Sequence, residues 1–345
     1  MLSKSFKIIE PKRFEIYIED IVPKKGEALI KIDYASICKA DIRYYEGNRD
    51  ERLLALKYPM SLIHEATGIV LRDPTGHYEN GTRVVLVPNR VEANEPCDFC
   101  VCDNPQLGEN YCPQAIFASS NSDGFSKESL AYPVDYLVKI PTTLSSRHAV
   151  FSEMISVVSA IIRSTKMPEQ GTVAVWGDGI LGYLVCATLR ILYPQYRLIV
   201  FGKHEEKLKQ FPVDAYYLTT DFAKENIVFA YECVGGKGSE SAIQQILSQI
   251  QVGGTIILSG VTEDPIAIPT RKILEKGLTM KGVTRSRRQD FLKAIELLQN
   301  DDFLALIEVL IISESKITSI VDFYKAFEQE INNQVLGKHL MQFYI

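Results

Sequence analysis

The stretch Val173–Gly182, with the sequence VAVWGDGILG, decides the fold of the region around it. Its apolar, valine-rich start predicts a buried strand, and a helical pattern follows the glycines. At such a turn Gly177 permits a tight bend, Gly179 lets a pyrophosphate approach the backbone, and Gly182 lets the helix pack on the sheet. The helix amides and dipole then face an anion, which predicts a dinucleotide site; a glycine turn without a ligand is the plainer alternative. The residues placed at this site are Gly177, Asp178, Gly179, Ile180, Leu181 and Gly182.

Strand and helix patterns alternate on both sides of this turn, across residues 147–286. This alternation predicts a dinucleotide-binding domain with a doubly wound, parallel sheet of the Rossmann type. The predicted helices are Ala149–Ser164, Ile180–Leu192 and Ser239–Gln251, and the predicted strands are Thr172–Trp176, Arg197–Phe201, Ile227–Cys233 and Thr255–Leu258.

The chain before residue 147 has a different texture, with short alternating strands and turns. Because 345 residues exceed what one hydrophobic core normally fills, two domains are expected. A late apolar strand at Leu340–Tyr344 predicts that the chain returns to the first domain, which we assign to residues 1–146 and 287–345. The other strands predicted in this domain are Phe14–Ile18, Ala28–Ile32, Gly68–Leu71, Thr82–Val87 and Tyr136–Lys139.

The charge of the chain argues against some classes of partner. A net charge of −5 lacks the basic excess that nucleic acids and anionic membranes select, so small molecules are the expected partners. The N-terminus has no apolar signal region, and the chain has no run of about 18 apolar residues. We therefore expect a cytoplasmic protein.

Four of the seven cysteines lie between positions 97 and 112, in a proline-rich segment with no regular pattern. Thiolate-bound zinc commonly orders such a segment, so we predict a structural zinc. Two disulfides or unpaired thiols are the alternatives, and a reducing cytosol disfavours the disulfides. The predicted ligands are Cys97, Cys100, Cys102 and Cys112.

The end of the second Rossmann strand selects between the two dinucleotides. An NAD enzyme normally has Asp or Glu about 20 residues past the glycines, where it binds the ribose 2′-hydroxyl. Here Gly202, Lys203 and His204 follow the strand, without a carboxylate. Lys203 and His204 would attract a 2′-phosphate, so we expect NADPH. The alternative is that Lys203 belongs to an ordinary solvated face.

Cys38, His64, Glu65 and Glu153 are further candidate metal ligands. Each alone is more often a packing residue than a ligand. The segment His64–Gly68 is not a HExxH metalloprotease helix, because Gly68 stands where the second histidine would be.

These motifs together resemble the zinc-dependent medium-chain dehydrogenase family over nearly the whole chain. The family carries Cys-Gly-[Ser/Thr]-Asp, Gly-His-Glu-x-x-Gly, a four-cysteine lobe and a Rossmann domain, in that order. The counterparts here are Cys38–Asp41, Ile63–Gly68, the cysteine cluster and Gly177–Gly182. The resemblance implies an α/β protein with a GroES-like, β-rich catalytic domain beside the Rossmann domain.

The resemblance also implies roles for single residues. Cys38, His64 and Glu65 would hold a catalytic zinc, with Glu153 as fourth ligand or partner of a bound water. The cysteine lobe would hold a second, structural zinc, although its middle step is shorter than usual. Ala40 replaces the Ser or Thr that commonly relays a proton, so Glu65, Glu153 or a sugar hydroxyl would have to assist.

Within the family, the segment ICKADIRYY at 37–45 resembles the branch that reduces D-ribulose 5-phosphate to D-ribitol 5-phosphate with NADPH. That branch supplies precursors of teichoic acid or capsule polymers. We expect this chain to form a homo-oligomer, either a dimer or a tetramer. Lys39, Arg43 and Tyr44 would contact the sugar phosphate, with Arg43 the preferred phosphate ligand. Ordinary surface charge is the plainer interpretation of Lys39 and Arg43.

Two other functions stay open from the residues. A dehydrogenase of an unphosphorylated polyol or of threonine would use the same zinc and cofactor. A non-catalytic NADP(H)-binding sensor is a candidate from another class, because a fold does not fix a function.

Overall fold

A computed structural model of the chain describes residues 1–91 and 110–345. These residues form two compact units, one of Met1–Ser156 with Arg285–Ile345, the other of Val157–Thr284. The chain therefore leaves the first unit once and later returns to it. In the part of the chain that is described, no helix is long and apolar enough to cross a membrane.

The described residues contain eighteen strands, β1 to β18 in chain order. Their bounds are Leu2–Glu10 (β1), Arg13–Asp20 (β2), Glu27–Ser36 (β3), Met60–Ser61 (β4), Glu65–Arg72 (β5), Arg83–Leu86 (β6), Asn89–Arg90 (β7), Ile116–Phe117 (β8), Ser129–Pro133 (β9), Leu137–Lys139 (β10), Thr172–Trp176 (β11), Arg197–Gly202 (β12), Ala215–Leu218 (β13), Ile227–Glu232 (β14), Thr255–Leu258 (β15), Thr279–Gly282 (β16), Ile311–Ile317 (β17) and Lys338–Phe343 (β18).

The helices are concentrated in the second half of the chain. Their bounds are Lys39–Tyr45, Glu51–Lys57, Ser146–Ala149, Ser152–Arg163, Ile180–Leu192, Glu205–Leu208, Ser239–Gln249, Thr270–Lys276, Arg288–Leu297, Asp301–Glu308 and Ile320–Ile331, with short 3₁₀ turns at Val134–Tyr136 and Gly236–Gly238.

The first unit contains one seven-stranded sheet and two smaller ones. The large sheet has the order β10-β6-β5-β3-β18-β17, with β9 also paired to β3. A second sheet has the order β2-β1-β4, and β7 pairs with β8. Because β3 pairs with both β5 and β18, three distant parts of the sequence meet along it.

Aromatic side chains connect the N-terminal strands to the C-terminal helix Ile320–Ile331. Phe14 of β2 lies 4.9 Å from Phe323, and Tyr45 lies 4.8 Å from Phe327, measured between ring centroids. Such pairs contribute about 0.5–1.5 kcal/mol each beyond the area they bury. These contacts pack the C-terminal helix against the N-terminal part of the chain.

The second unit is built on one parallel sheet with the order β13-β12-β11-β14-β15-β16. This order, with the first strand of the unit in the middle, is that of a doubly wound dinucleotide-binding fold. All five residues of β11 are buried, as expected for a central strand covered on both faces. The predicted helix Ala149–Ser164 is observed as two pieces, Ser146–Ala149 and Ser152–Arg163.

Candidate metal centre and nucleotide site

Three side chains of the first unit form a compact donor set. Cys38 precedes helix Lys39–Tyr45, His64 precedes β5, and Glu65 begins it. The antiparallel register pairs Ser36 of β3 with Glu65, which brings these segments together. One ligand atom from each of Cys38, His64 and Glu65 lies within 4.8 Å of the others. A thiolate, an imidazole and a carboxylate are ligands that zinc prefers, and three protein ligands leave a position for substrate.

A buried lysine holds Glu65 in this set. Glu65 Oε2 accepts hydrogen bonds from Ser36 Oγ and Lys338 Nζ, while Oε1 is buried without a hydrogen-bond partner. Lys338 also donates to the carbonyl oxygen of Ile37 at 3.2 Å. Burial lowers the pKa of Lys338, but the charges of Glu65 and Cys38 outweigh it and raise that pKa above its ordinary value. The orphaned Oε1 is the oxygen that a metal ion would satisfy.

Asp41 supports the other two ligands. Its Oδ1 lies 3.5 Å from His64 Nδ1 and accepts from Ser119 Oγ at 2.5 Å. Its Oδ2 accepts from the backbone amide of Cys38 at 2.9 Å. Burial would raise the pKa of Asp41, but His64 and these hydrogen bonds lower it overall. A carboxylate beside one ring nitrogen is a common way to orient a histidine toward a metal.

Ile63, directly before the histidine, has a strained backbone. Its φ is +76°, in the left-handed region, and its side chain is fully buried. The family motif has glycine here, and a β-branched residue with positive φ costs on the order of 1–3 kcal/mol. The amide of Ile63 donates to Asp41 at 3.0 Å, and its carbonyl oxygen accepts from Phe125 at 2.8 Å. These contacts hold the conformation that places His64 beside Asp41.

Glu153 lies in the first turn of helix Ser152–Arg163 and is buried. Burial raises the pKa of its carboxyl group to about 7, although His64 and Lys338 act in the opposite direction. Among the described residues, the donor atoms within 4.8 Å of one another come from Cys38, His64 and Glu65. The role of Glu153 as fourth ligand or partner of a water stays a prediction.

Helix Lys39–Tyr45 carries the three residues predicted to bind substrate. Lys39 is exposed, Arg43 is half-buried, and Tyr44 is buried. The Tyr44 hydroxyl accepts from Lys57 Nζ at 2.6 Å, and the Arg49 guanidinium lies 4.2 Å from the centre of its ring. Several cations thus surround this helix, and their contact with a substrate stays a prediction.

The predicted structural zinc lies mostly outside the described residues. Cys97, Cys100 and Cys102 fall between positions 92 and 109, which the structure does not describe. Cys112 is described and is buried. The second zinc therefore stays a prediction from the sequence.

The glycine motif has the geometry that the sequence predicts. Gly177 has a φ of +130°, and a Cβ there would lie 2.9 Å from the backbone of Cys233. A Cβ at Gly182 would lie 2.2 Å from the carbonyl oxygen of Gly177, so the helix can approach the turn only with glycine. Gly179 precedes helix Ile180–Leu192, and the space beside it is open.

A cavity of about 440 Å³ opens on this turn. Its wall includes the glycine turn, Gly202, Lys203 and Val234. The buried carboxylate of Glu232 shapes one side, because it accepts from the amides of Val234 and Gly235 at 2.9 and 3.1 Å and from that of Gly260 at 3.1 Å. The cavity lies at the glycine turn after the central strand, where a dinucleotide binds in this type of fold.

The end of β12 is held by a carboxylate from the glycine turn. Asp178 Oδ2 accepts from the amides of Lys203 and His204 at 2.7 and 2.8 Å and contacts His204 Nδ1 at 2.9 Å. Burial would raise the pKa of Asp178, but these hydrogen bonds lower it. A Cβ at Gly202 would lie 2.6 Å from Asp178 Cβ. Asp178 therefore fills the space that the absent side chain of Gly202 leaves.

Three residues with no role predicted from the sequence, Asp41, Glu232 and Lys338, hold parts of these sites. Asp41 is three residues from Cys38 in a recognised motif, so its spacing is a usable signal. Glu232 ends a buried strand, where an acidic residue is unusual and indicates a specific hydrogen-bonding role. Lys338 is 273 residues from Glu65, and only the pairing of β18 with β3 brings it to the site.

Two family models match the chain. Residues 24–142 match the alcohol dehydrogenase GroES-like domain, and residues 196–300 match the zinc-binding dehydrogenase domain. The predicted fold class, a GroES-like domain with a Rossmann domain, is therefore confirmed.

Relatives match over the full length. The chain is 36% identical to ribulose-5-phosphate reductase of Bacillus spizizenii, with 100% of both chains covered. It is 36% identical to ribulose-5-phosphate reductase 1 of Staphylococcus aureus, with 96% of each chain covered. The crystal structure of S. aureus TarJ in complex with NADPH superposes with a TM-score of 0.86, at 32% identity and with 100% of both chains covered. These matches confirm the resemblance inferred from the motifs, and the chain belongs to the zinc-binding alcohol dehydrogenase family.

Proposed function

We propose that this protein is a zinc-dependent reductase that converts D-ribulose 5-phosphate to D-ribitol 5-phosphate with NADPH, in a reversible reaction. The observation that carries the proposal is the donor set of half-buried Cys38 with buried His64 and Glu65, in which Oε1 of Glu65 has no hydrogen-bond partner. Full-length identity of 36% to ribulose-5-phosphate reductases supports the substrate. The NADPH-bound S. aureus relative and Lys203 in the cavity wall support the cofactor.

The donor set fits zinc, since a thiol, an imidazole and a carboxylate with a free oxygen face one another. Bound there, zinc supplies a Lewis acid for the C2 carbonyl, and the reduced nicotinamide supplies the hydride. Lys338 holds Glu65 by a charge-assisted hydrogen bond, and Asp41 orients His64. Ala40 has no hydroxyl to relay a proton. Glu65, Glu153 or a sugar hydroxyl therefore has to help deliver the proton that the product oxygen gains.

The test follows NADPH absorbance with a panel of substrates. We expect D-ribulose 5-phosphate to give a kcat/KM far above those of unphosphorylated ribulose and other ketoses, with D-ribitol 5-phosphate as the product. In the oxidative direction, sorbitol, xylitol and threonine are the competitors. A kcat/KM for any of them above that for D-ribitol 5-phosphate would contradict the proposed substrate. Tight NADPH binding without turnover of any substrate would favour the sensor.

Arg43→Ala tests the phosphate contact. Removing one charged hydrogen-bonding partner is expected to cost about 2–4 kcal/mol in kcat/KM for D-ribulose 5-phosphate, or roughly 30- to 1000-fold. The rate with unphosphorylated ribulose should barely change. Arg72→Ala is the control, because Arg72 is exposed and ends the strand that Glu65 begins. Equal losses on both substrates would mean that Arg43 supports the local structure and does not bind the phosphate.

A second zinc per chain is proposed at the cysteine cluster. Cys97→Ser should lower the metal content by one ion per chain and lower the thermal midpoint, because metal bonds would order that segment. NADPH binding should survive, since the nucleotide unit lies elsewhere in the chain. Elemental analysis by mass spectrometry gives the ion count. A single zinc in fully active wild-type protein would exclude the two-zinc proposal.

The proposed compartment is the cytoplasm, because clustered thiols stay available to zinc in a reducing environment. The proposed assembly is a homo-oligomer, either a dimer or a tetramer. Light scattering at several concentrations gives the assembly size. The product would supply a precursor of teichoic acid or of a capsule polymer.

A further inference from the structure

We infer that Asp178 is a positioning residue for cofactor selectivity: it fixes the chain after β12 so that Lys203 and His204 face the 2′-phosphate of NADPH. This inference rests on the proposed NADPH preference and deepens it. The sequence places Asp178 only among the residues of the glycine motif. The structure adds the three contacts that Asp178 makes with the residues following β12.

All three donors go to one oxygen. Asp178 Oδ2 receives the amides of Lys203 and His204 and the His204 ring nitrogen, at 2.7, 2.8 and 2.9 Å. These two residues are exposed, and His204 also accepts from the amides of Lys207 and Leu208 through its carbonyl oxygen, at 3.0 and 3.1 Å. Two amides bound to one carboxylate oxygen fix the backbone of both residues. The loop is therefore ordered by a side chain from another strand end.

The Asp178 carboxylate lies where an acidic side chain at the end of β12, as found in NAD enzymes, would clash with it. An acid at the end of the second strand binds the ribose 2′-hydroxyl in NAD enzymes. A Cβ at position 202 would lie 2.6 Å from Asp178 Cβ and 3.0 Å from its Cγ, so position 202 cannot carry a side chain while Asp178 keeps this place. Asp178 thus keeps position 202 as glycine and turns its own charge toward the loop amides.

The lysine that follows is directed across the cavity. Lys203 Nζ lies 4.0 Å from the point where a Cβ of Gly238 would stand, and Lys203 and Gly238 both line the 440 Å³ cavity. The ammonium group therefore lies at the wall of this cavity, beside Gly238. A phosphate on the adenosine ribose is the group that a cation at this place would bind. Holding the Lys203 backbone preserves that direction.

The experiment measures dissociation constants for NADPH and NADH by fluorescence titration, which needs no substrate. Asp178→Ala is expected to raise the NADPH constant roughly 10- to 100-fold and the NADH constant less than about threefold. Asp178→Asn keeps an acceptor for the amides and should recover most of the affinity. Asp214→Ala is the matched control, because Asp214 accepts from the amide of Leu198 at 2.7 Å near the other end of β12.

A double-mutant cycle separates positioning from direct contact. Lys203→Ala should weaken NADPH binding alone, and adding it to Asp178→Ala should cost little more, because the two act through the same cation. In turnover, Asp178→Ala should raise the KM for NADPH and leave kcat within about twofold.

Three results would overturn the inference. Equal weakening of NADH and NADPH would make Asp178 a structural residue, and unchanged or tighter NADPH binding by Asp178→Ala would mean that the carboxylate competes with the phosphate. Fully additive losses in the cycle would mean that Asp178 does not act through Lys203. A wild-type preference for NADH overturns the proposed cofactor itself, and it is recognised before any variant is made.

Discussion

Replacing Cys38 by alanine is expected to lower kcat about 1000-fold or more and to remove one zinc ion per chain. Cys38 is one of the three donors within 4.8 Å of one another, so its loss leaves two ligands for the metal. A metal Lewis acid contributes several kcal/mol to a carbonyl reduction, and each 1.36 kcal/mol is a factor of ten. Cys38 is half-buried at the N-cap of helix Lys39–Tyr45, so the fold should survive the change.

Cys186→Ala is the control for this variant. Cys186 is a buried free cysteine in helix Ile180–Leu192 of the nucleotide-binding unit, away from the metal ligands in the sequence. The same chemical change there should leave zinc content and kcat near the wild-type values. NADPH binding and circular dichroism should be normal in both variants. A Cys38→Ala protein that keeps more than a tenth of its activity would contradict the assignment of Cys38 as a zinc ligand.

The division of the chain into a β-rich part and an alternating part was predictable from period and turn chemistry. The predicted strand Gly68–Leu71 is the apolar centre of β5, which begins earlier at Glu65. Polar ligands at the start of a strand break the hydrophobic alternation, so the pattern underestimates the strand just where the site lies. Strands β13 and β16 were not predicted, since each has four residues and a mixed burial pattern.

The donor set was predictable only in part. Cys38, His64 and Glu65 follow from motifs whose order along the chain resembles a family, and no spacing rule alone would have joined Cys38 to His64. The groups that hold these ligands have weaker signals. Asp178 illustrates the same limit at the nucleotide site, because its contact with His204 depends on how far the turn reaches toward β12.

The strain at Ile63 could not be predicted by the usual rule. Positive φ is normally inferred from glycine, and an isoleucine in the left-handed region breaks that inference. Its conformation is set by tertiary contacts, with Asp41 accepting from its amide and Phe125 donating to its carbonyl oxygen. Ile63 therefore has a positive φ at the position where the family motif has glycine.

Lys338→Met is expected to destabilise the protein by about 3–5 kcal/mol, because it leaves the carboxylate of Glu65 buried without its cation. Lys338 is 3% exposed and Glu65 is 1% exposed, so solvent cannot replace the lost partner. Methionine keeps a similar apolar length, which limits the cavity that the change creates. Urea unfolding of metal-free protein measures the free energy, and the zinc content of loaded protein measures whether Glu65 still binds the metal.

Two variants separate the ion pair from the loss of a lysine as such. Lys316→Met is the control, because Lys316 is exposed on β17, next to β18, and its loss should cost less than about 0.5 kcal/mol. In metal-free protein, Lys338→Met combined with Glu65→Gln should regain much of the lost stability, since no unpaired charge remains. A double variant as unstable as Lys338→Met, or a single variant that loses under about 1 kcal/mol, would refute the pairing. The arrangement makes Glu65 depend on the last strand of the chain, so we expect any variant that detaches β18 to weaken zinc binding as well as folding.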